Sequence, residues 1–313
     1  MALAPVGFAT PFRLPVSSPN CTKHAEDVKE PENLSLESSP YKWRMVIAYD
    51  GTKFAGWQYQ ESPPTIQCLV EKALTCITKL DRKQLCLVGS SRTDAGVHAW
   101  GQVAHFVTPF LNGSLESLHA AVNGLLPSQI RVREISPARP EFHARFSATS
   151  KIYHYKIYNN PIMDPFQNRY AYRSAYKLNL NVMREAASYF VGRHDFTSFA
   201  NASHSDRLPD PTKEIFRVDV NEMDHVLQIE IEGTGFLYRQ VRNMAALLIQ
   251  IGCEAQPPHM VPRFWLPATS RELAKVATSA PPHGLCLMSV NYSEEALKPP
   301  TGCPAVSLGG ITL

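Results

Sequence analysis

Residues 214–251 read EIFRVDVNEMDHVLQIEIEGTGFLYRQVRNMAALLIQI, and this stretch sets the fold class of the chain. Apolar residues alternate over 214–220 and again over 226–232, which predicts two strands. The segment between them, Asn221-Glu-Met-Asp224, favours a turn, so the strands should pair as an antiparallel hairpin. Over 237–251 apolar residues recur every three to four positions, which predicts a helix. The stretch is therefore a β-β-α segment.

The elements around this segment complete a β-α-β-β-α-β order in the second half of the chain. Residues 152–158 alternate like a strand, and residues 180–190 have a helical pattern. After the β-β-α segment, a Pro-rich link leads to a capped helix at 270–277 and a last strand at 285–292.

The first half of the chain follows the same order. In chain order, the predicted elements are a strand at 44–49, a helix capped by Thr65 that ends near Leu80, a short strand at 85–88, a strand at 102–107, a helix capped by Ser114 and closed by Gly124 and Pro127, and a strand at 130–135.

Two successive units of this order predict an α+β fold of two ferredoxin-like halves joined into one mixed sheet. We expect an N-terminal half at 41–147, a C-terminal half at 148–293 and a tail at 294–313. Halves of this kind can pair their sheets edge to edge and leave a long central cleft between them.

Residues 1–40 differ in composition from the rest of the chain. They hold six of the 25 prolines, and no acidic residue precedes Glu26. The early positive charge and apolar run of a secretory signal are missing. We expect either a disordered extension or an organelle transit peptide. A transit peptide would direct the protein to a plastid or a mitochondrion, and the hydroxylated, weakly basic segment favours a plastid; without one, cytoplasm or nucleus is expected.

The overall composition excludes several classes of protein. With 44% hydrophobic and 19% charged residues, the chain does not resemble a mostly disordered protein. No apolar run approaches the roughly 18 residues of a membrane-spanning helix. The seven cysteines are odd in number and lack C-x-x-C spacing, which argues against a zinc site or a disulfide framework. A net charge of +3 identifies no partner by itself.

The densest polar motif is Gly89-Ser-Ser-Arg92-Thr93-Asp94-Ala-Gly96-Val-His98, between two predicted strands of the N-terminal half. Arg92 would favour the charged form of the Asp94 carboxylate. Gly96 would let another chain approach the backbone. The pattern suits a carboxylate that acts as nucleophile or base beside a bulky substrate. A surface turn with a solvated aspartate is the alternative.

A second feature is the basic and aromatic stretch 131–173, which is typical of surfaces that contact phosphates and stack bases. Tyr153 and Tyr155 should point to the same side of their strand. A solvated strand face with core aromatics is the alternative. The stretch contains Arg131, Arg133, Arg139, Arg145, Lys151, Lys156, Arg169 and Arg173 against Glu134, Glu141 and Asp164, with Phe142, Phe146, Tyr153, Tyr155, Tyr158, Phe166, Tyr170 and Tyr172 between them.

A third feature is Gly233-Thr-Gly235-Phe236 ahead of a helix that carries Arg239 and Arg242 on one face. Gly-x-Gly before a helix can bind phosphate, but taken alone the feature favours a simple bend with exposed arginines.

Other kinds of site find little support. His98 and His105 lack the helical spacing of metal ligands, so we expect no metal. We find no Walker loop, Rossmann fingerprint or nucleophile elbow and expect no cofactor. His194-Asp195 is expected to be structural or a loop contact.

Six motifs, in this order, resemble those of the TruA-type tRNA pseudouridine synthases, and the resemblance covers roughly residues 43–292. The motifs are Tyr49-Asp-Gly-Thr-Lys-Phe-Ala-Gly-Trp-Gln58, Ser91-Arg-Thr-Asp-Ala-Gly-Val-His-Ala99, Phe142-His-Ala-Arg-Phe-Ser-Ala-Thr-Ser150, Tyr153-His-Tyr155, His194-Asp-Phe-Thr-Ser-Phe199 and Val241-Arg-Asn-Met244.

The resemblance implies that uridine in tRNA is isomerised by breaking the bond between ribose C1′ and N1 and joining C1′ to C5. Asp94 would be the catalytic residue, either attacking C1′ or removing a proton from C2′. Tyr153 would pack on the target base, and Arg242 would pair with the catalytic aspartate. Arg92 would help to hold the flipped-out nucleotide.

The same resemblance implies a homodimer in which one tRNA touches both subunits, and target uridines at tRNA positions 38 to 40 in the anticodon arm. Two departures from the family pattern stand out. Ser91 occupies a position where many members have glycine, and residues 201–211 differ from the pattern and suggest a loop.

Three other functions remain to be weighed against this one. A catalytically silent tRNA-binding relative would not need a carboxylate in a basic cleft. A synthase for another RNA, organellar or messenger, is compatible with the same residues. An aspartate-dependent hydrolase would need a second carboxylate or metal ligands near Asp94.

Overall fold

The computed structural model describes residues 41–111, 114–201, 210–265 and 270–308. The extension or transit peptide predicted for residues 1–40 lies outside the described residues, as does most of the loop predicted at 201–211. Within the described residues, no helix is long and apolar enough to cross a membrane.

Ten strands of the described chain form one mixed sheet in the order β4-β1-β3-β10-β5-β9-β8-β7, with β2 paired to β3 and β6 paired to β5. The strands are β1 (Tyr41–Tyr49), β2 (Val88–Gly89), β3 (His98–Thr108), β4 (Ile130–Ala138), β5 (Ala148–Tyr158), β6 (Tyr172–Arg173), β7 (Gly192–Asp195), β8 (Thr212–Met223), β9 (Val226–Gly233) and β10 (Leu285–Tyr292).

The α-helices of the described residues lie between these strands, except for α7, which follows β10. They are α1 (Ile66–Thr78), α2 (Arg82–Leu85), α3 (Leu115–Leu125), α4 (Leu180–Ser188), α5 (Gln240–Gly252), α6 (Ser270–Val276) and α7 (Glu294–Leu297).

Both halves of the sheet have the strand order of a ferredoxin-like unit, which confirms the predicted fold class. In the N-terminal half β4, β1, β3 and β2 are neighbours in that order, and in the C-terminal half β10, β5, β9 and β8 take the same places. The parallel pairing of β10 with β3 joins the two halves. Because β10 pairs with His98 and Ala99 while β2 pairs with Ala104 and His105, the loop between β2 and β3 lies next to the seam.

The helix caps form as the sequence indicates. The Thr65 hydroxyl accepts a hydrogen bond from the Cys68 N–H, and Ser114 accepts one from the Ser117 N–H. At the start of α5, however, Arg239 has a left-handed backbone with φ of 62°, so this helix begins at Gln240 instead of residue 237.

The predicted strand at 85–88 is wrong in part. Asp81 and Gln84 form a reciprocal capping box, which turns residues 82–85 into the short helix α2. Only Val88–Gly89 remains as a strand. The next strand, β3, begins at His98 rather than at residue 102, since its first residues pair with β10 across the seam.

His194 and Asp195 have local structural contacts, as expected. The His194 ring stacks on Trp265 with 4.3 Å between ring centroids, and its Nε2 lies 3.0 Å from the Val191 carbonyl oxygen. The Asp195 carboxylate accepts a hydrogen bond from the Thr197 N–H.

Candidate active site

Asp94 lies in the loop between β2 and β3, and the first part of this loop is fixed to β3. The Ser90 N–H donates to the Val103 carbonyl oxygen at 2.7 Å. The buried Gln102 side chain makes two hydrogen bonds with the Ser91 backbone, accepting from the N–H and donating to the carbonyl oxygen. The backbone of Ser90 and Ser91 is therefore bonded to β3 in the free protein. Sequence reasoning missed Gln102, whose only signal is a polar residue within an apolar strand.

The motif at residues 49–58 supports the same loop from the other side. The hydroxyls of Tyr49 and Thr93 share a hydrogen bond of 2.7 Å, and the Trp57 N–H donates to the Thr93 carbonyl oxygen at 3.0 Å. Gly56 has φ of +95°, and a Cβ atom there would lie 2.6 Å from the Thr93 oxygen. Only glycine fits this position. The motif thus positions the residue that precedes Asp94.

Two arginines of the C-terminal half reach the Asp94 carboxylate. Arg242 Nη1 lies 2.8 Å from Asp94 Oδ2, and Arg239 Nε lies 4.0 Å from the same oxygen. Arg242 Nε also donates to the Ala280 carbonyl oxygen at 2.7 Å, which holds the guanidinium in place. Among the described residues, no hydrogen-bond donor contacts Oδ1 of Asp94. One carboxylate oxygen is thus anchored and the other is available for chemistry.

Tyr153 lies on β5 close enough to Asp94 for the carboxylate charge to affect it. Its side chain is only 7% exposed, and its ring packs edge-on against Phe236 at 5.2 Å between centroids. Burial, reinforced by the charge of Asp94, raises the pKa of Tyr153 to about 12, so the hydroxyl stays protonated near neutral pH. The structure therefore brings Asp94, Tyr153 and Arg242 together.

Arg92 takes a different position from the one inferred beside the carboxylate. Its side chain is exposed, and in the described part of the chain it forms no ion pair with Asp94. The inference that Arg92 stabilises the charged carboxylate directly is wrong, since Arg242 and Arg239 are the cations in reach. Arg92 remains on the open side of the loop.

The stretch 131–173 does not form one continuous basic and aromatic surface. Tyr155 is fully buried and donates its hydroxyl to the Pro281 carbonyl oxygen, so it belongs to the core. Phe146, in contrast, is 77% exposed and stacks on His143 with 4.3 Å between centroids. Four arginines of the stretch form hydrogen bonds or ion pairs with other groups of the protein: Arg131, Arg133, Arg139 and Arg173.

Metal-binding side chains do not cluster here. Within the described residues, no group of three or more His, Cys, Asp or Glu could hold a metal ion. His98 Nδ1 accepts a hydrogen bond from the Gly51 N–H, and its Nε2 lies 2.9 Å from the Arg169 carbonyl oxygen. Burial lowers the pKa of His105 to about 4, and its Nδ1 accepts from the Ala144 N–H. Both histidines therefore serve as loop contacts.

Comparison with known proteins connects this geometry to a family. A family model described as tRNA pseudouridine synthase matches residues 45–147 and 186–293, which include the Asp94 loop and α5. The chain belongs to the tRNA pseudouridine synthase family. The prediction of an RNA-modifying isomerase of the TruA type is thus confirmed at the level of the family.

Curated relatives match over most of their length. The chain is 40% identical to tRNA pseudouridine synthase A 1 of Protochlamydia amoebophila over 255 residues, which cover 81% of this chain and 97% of the relative. It is 42% identical to tRNA pseudouridine synthase A of Bacillus subtilis over 249 residues, covering 80% of this chain and 98% of the relative. The match therefore spans both halves of the sheet.

Proposed function

We propose that this enzyme isomerises uridine to pseudouridine in the anticodon arm of tRNA, at positions 38 to 40, with Asp94 as the catalytic residue. The proposal is carried by one observation above the others: Arg242 anchors Oδ2 of a carboxylate whose Oδ1 is unoccupied by any described donor. Such a group can act as a nucleophile or a base without first breaking an ion pair.

The reaction needs no group from outside the enzyme and its RNA. The C1′–N1 bond of the uridine breaks, the uracil turns and a C1′–C5 bond forms; the hydrogen on C5 leaves as a proton and N1 takes up a proton, so the product is an isomer of uridine. Asp94 either attacks C1′ to give a covalent sugar ester or removes a proton from C2′ to give a glycal. Both routes require the charged carboxylate, whose Oδ2 is paired with Arg242 at 2.8 Å.

The detached base must be kept in place while it turns. The ring of Tyr153 lies close enough to Asp94 to be affected by its charge, and in this proposal it offers a flat surface for the uracil. A base in a stem or loop must be flipped out to reach it, at a cost of a few kcal/mol. Exposed Arg92 on the open side of the loop is suited to contact the flipped nucleotide. A homodimer in which one tRNA touches both subunits is part of this proposal.

The decisive experiment uses tRNA that carries tritium at uracil C5. Wild-type protein should release tritium to water without added nucleotide or metal, whereas Asp94→Asn should release none and still bind tRNA within about threefold. Asp219→Asn is the matched control, because Asp219 pairs with Arg217 away from the Asp94 loop; it should react like wild type. Sequencing of the product then locates the modified uridines.

Each alternative has its own outcome in this experiment. Tight tRNA binding with no release from any tRNA by wild type would support a catalytically silent relative. Release from organellar or messenger RNA, but not from tRNA, would move the substrate to another RNA. A loss of binding by Asp94→Asn as large as its loss of rate would contradict a purely chemical role for Asp94.

A further inference from the structure

Lys151 on β5 directs its ammonium group at the loop that carries Asp94. The side chain is mostly buried, and its Nζ donates a hydrogen bond of 2.8 Å to the Ser90 carbonyl oxygen. Lys151 and Tyr153 are two residues apart on a regular strand, so both point to the active-site side of the sheet. Lys151 therefore contacts Ser90, the first residue of the loop that carries Asp94.

This ammonium has no counter-ion in the described part of the chain. Its neighbours there include no carboxylate oxygen within ion-pair distance, and the one nearby charge is that of Arg145, which has the same sign. Burial first, and the Arg145 charge second, lower the pKa of Lys151 to about 8. Lys151 is partly buried, and an ammonium withdrawn from water without a counter-ion is costly. An anion is therefore expected to complete the site.

The donors around Lys151 are arranged to receive such an anion. An ammonium has three N–H donors, and Ser90 uses one of them. Arg145 is exposed, and its backbone N–H donates to His143 Nδ1, which fixes the base of this side chain. The other two N–H donors of Lys151 have no hydrogen-bond partner among the described residues, so the ammonium is incompletely satisfied in the free protein.

We propose that Lys151 and Arg145 form a binding site for one phosphate of the RNA backbone next to the target nucleotide, and that this phosphate positions Asp94 through Lys151 and Ser90. The inference rests on the proposed function. It adds that the RNA backbone, besides binding the enzyme, positions the proposed catalytic residue. A bound phosphate supplies the missing counter-ion, keeps Lys151 protonated and strengthens its hydrogen bond to the loop. Lys151 is accordingly a positioning residue, because it acts on the reacting group through the loop.

The first test compares three variants. Lys151→Met should reduce the slope of log binding constant against log salt concentration by about one, the amount expected for one lost phosphate contact. It should also slow single-turnover pseudouridine formation at saturating tRNA at least tenfold, while Lys151→Arg should restore the slope. Lys156→Met is the matched control, since Lys156 lies on the same strand but on the opposite face. It should change neither the salt slope of binding nor the single-turnover rate.

The second test removes the phosphate charge instead of the lysine. A tRNA assembled by ligation carries a neutral methylphosphonate at one phosphate beside the target uridine. For wild type, a methylphosphonate at one of these positions should weaken tRNA binding about tenfold. For Lys151→Met, the methylphosphonate at that position should cause no further loss of affinity. The proposal would be overturned if the effects of the methylphosphonate and of Lys151→Met on binding were additive at every position. It would also be overturned if no methylphosphonate weakened binding to wild type. If Lys151→Met does not fold, Arg145→Gln takes its place in this comparison.

These outcomes are separable from failure of the proposed function. Wild type that converts no unmodified RNA would reject the function itself. Wild type that converts tRNA, combined with an unchanged salt slope for Lys151→Met, would reject only the phosphate site.

Discussion

Arg242 Nη1 lies 2.8 Å from Asp94 Oδ2, although the two residues are 148 positions apart in the chain. The aspartate belongs to the N-terminal half and the arginine to α5 of the C-terminal half, so their ion pair spans the seam between the two ferredoxin-like units. The candidate active site is therefore formed only when both halves are folded and joined.

Replacing Arg242 should impair chemistry far more than RNA binding. In Arg242→Gln the Asp94 carboxylate keeps only Arg239, whose Nε is 4.0 Å away. We expect the single-turnover rate to fall about 100-fold, which is about 2.7 kcal/mol, with tRNA affinity within about threefold. Arg217→Gln removes an arginine that pairs with Asp219, Glu230 and Glu232 and should leave the rate unchanged. Equal losses of rate and affinity in Arg242→Gln would contradict this assignment.

Gly56→Ala should disturb the catalytic loop. The new Cβ would lie 2.6 Å from the Thr93 carbonyl oxygen in a backbone with φ of +95°. We expect a loss of stability of about 2 kcal/mol or more and a clear loss of activity, measured by urea unfolding and tritium release. Gly124→Ala is the control, because nothing lies within 4 Å of its Cβ position in α3. That change should stabilise the protein by about 0.5 to 1 kcal/mol.

The stability of the free protein should depend on pH through Lys151. Its pKa is about 8 in the folded protein against an ordinary value of 10.5. Below pH 8 the group is charged in both states, and between about 8 and 10.5 the unfolded chain binds the extra proton. Wild type should therefore gain stability relative to Lys151→Met across that window, by at most ~1.4 kcal/mol per pH unit.

Urea unfolding of wild type and Lys151→Met, at a series of pH values from about 7 to 10.5, measures this difference directly. Other titrating groups cancel in the comparison. A difference that stays constant over the whole range would mean that Lys151 keeps its ordinary pKa in the folded protein.

Removing residues 1–40 should leave the activity intact. The sheet begins at Tyr41, and the matched family region begins at residue 45. A protein that starts at residue 41 should release tritium from tRNA at the wild-type rate in vitro. An inactive but folded truncation would mean that the segment contributes to the RNA-binding surface.

Much of the fold was accessible from local sequence patterns. The hairpin of β8 and β9 follows from alternating apolar residues, and the starts of α1 and α3 follow from Thr65 and Ser114. Such features depend on residues a few positions apart, so they can be read along the chain. The identity of the Asp94 loop was likewise contained in the order of its motifs.

Contacts between distant residues were decided by the tertiary structure. Local spacing suggested Arg92 as the cation beside Asp94, whereas the family resemblance implied Arg242, and folding does bring Arg242 to the carboxylate. Lys151 looked like a surface contact for phosphate, but its place on β5 buries it against Ser90, 61 positions earlier. Sequence alone thus predicted most of the secondary structure and led to Asp94 as the proposed reacting residue. The packing of the two halves decides which charges lie close enough to pair and which lack a counter-ion, because burial and ion pairing depend on three-dimensional distance.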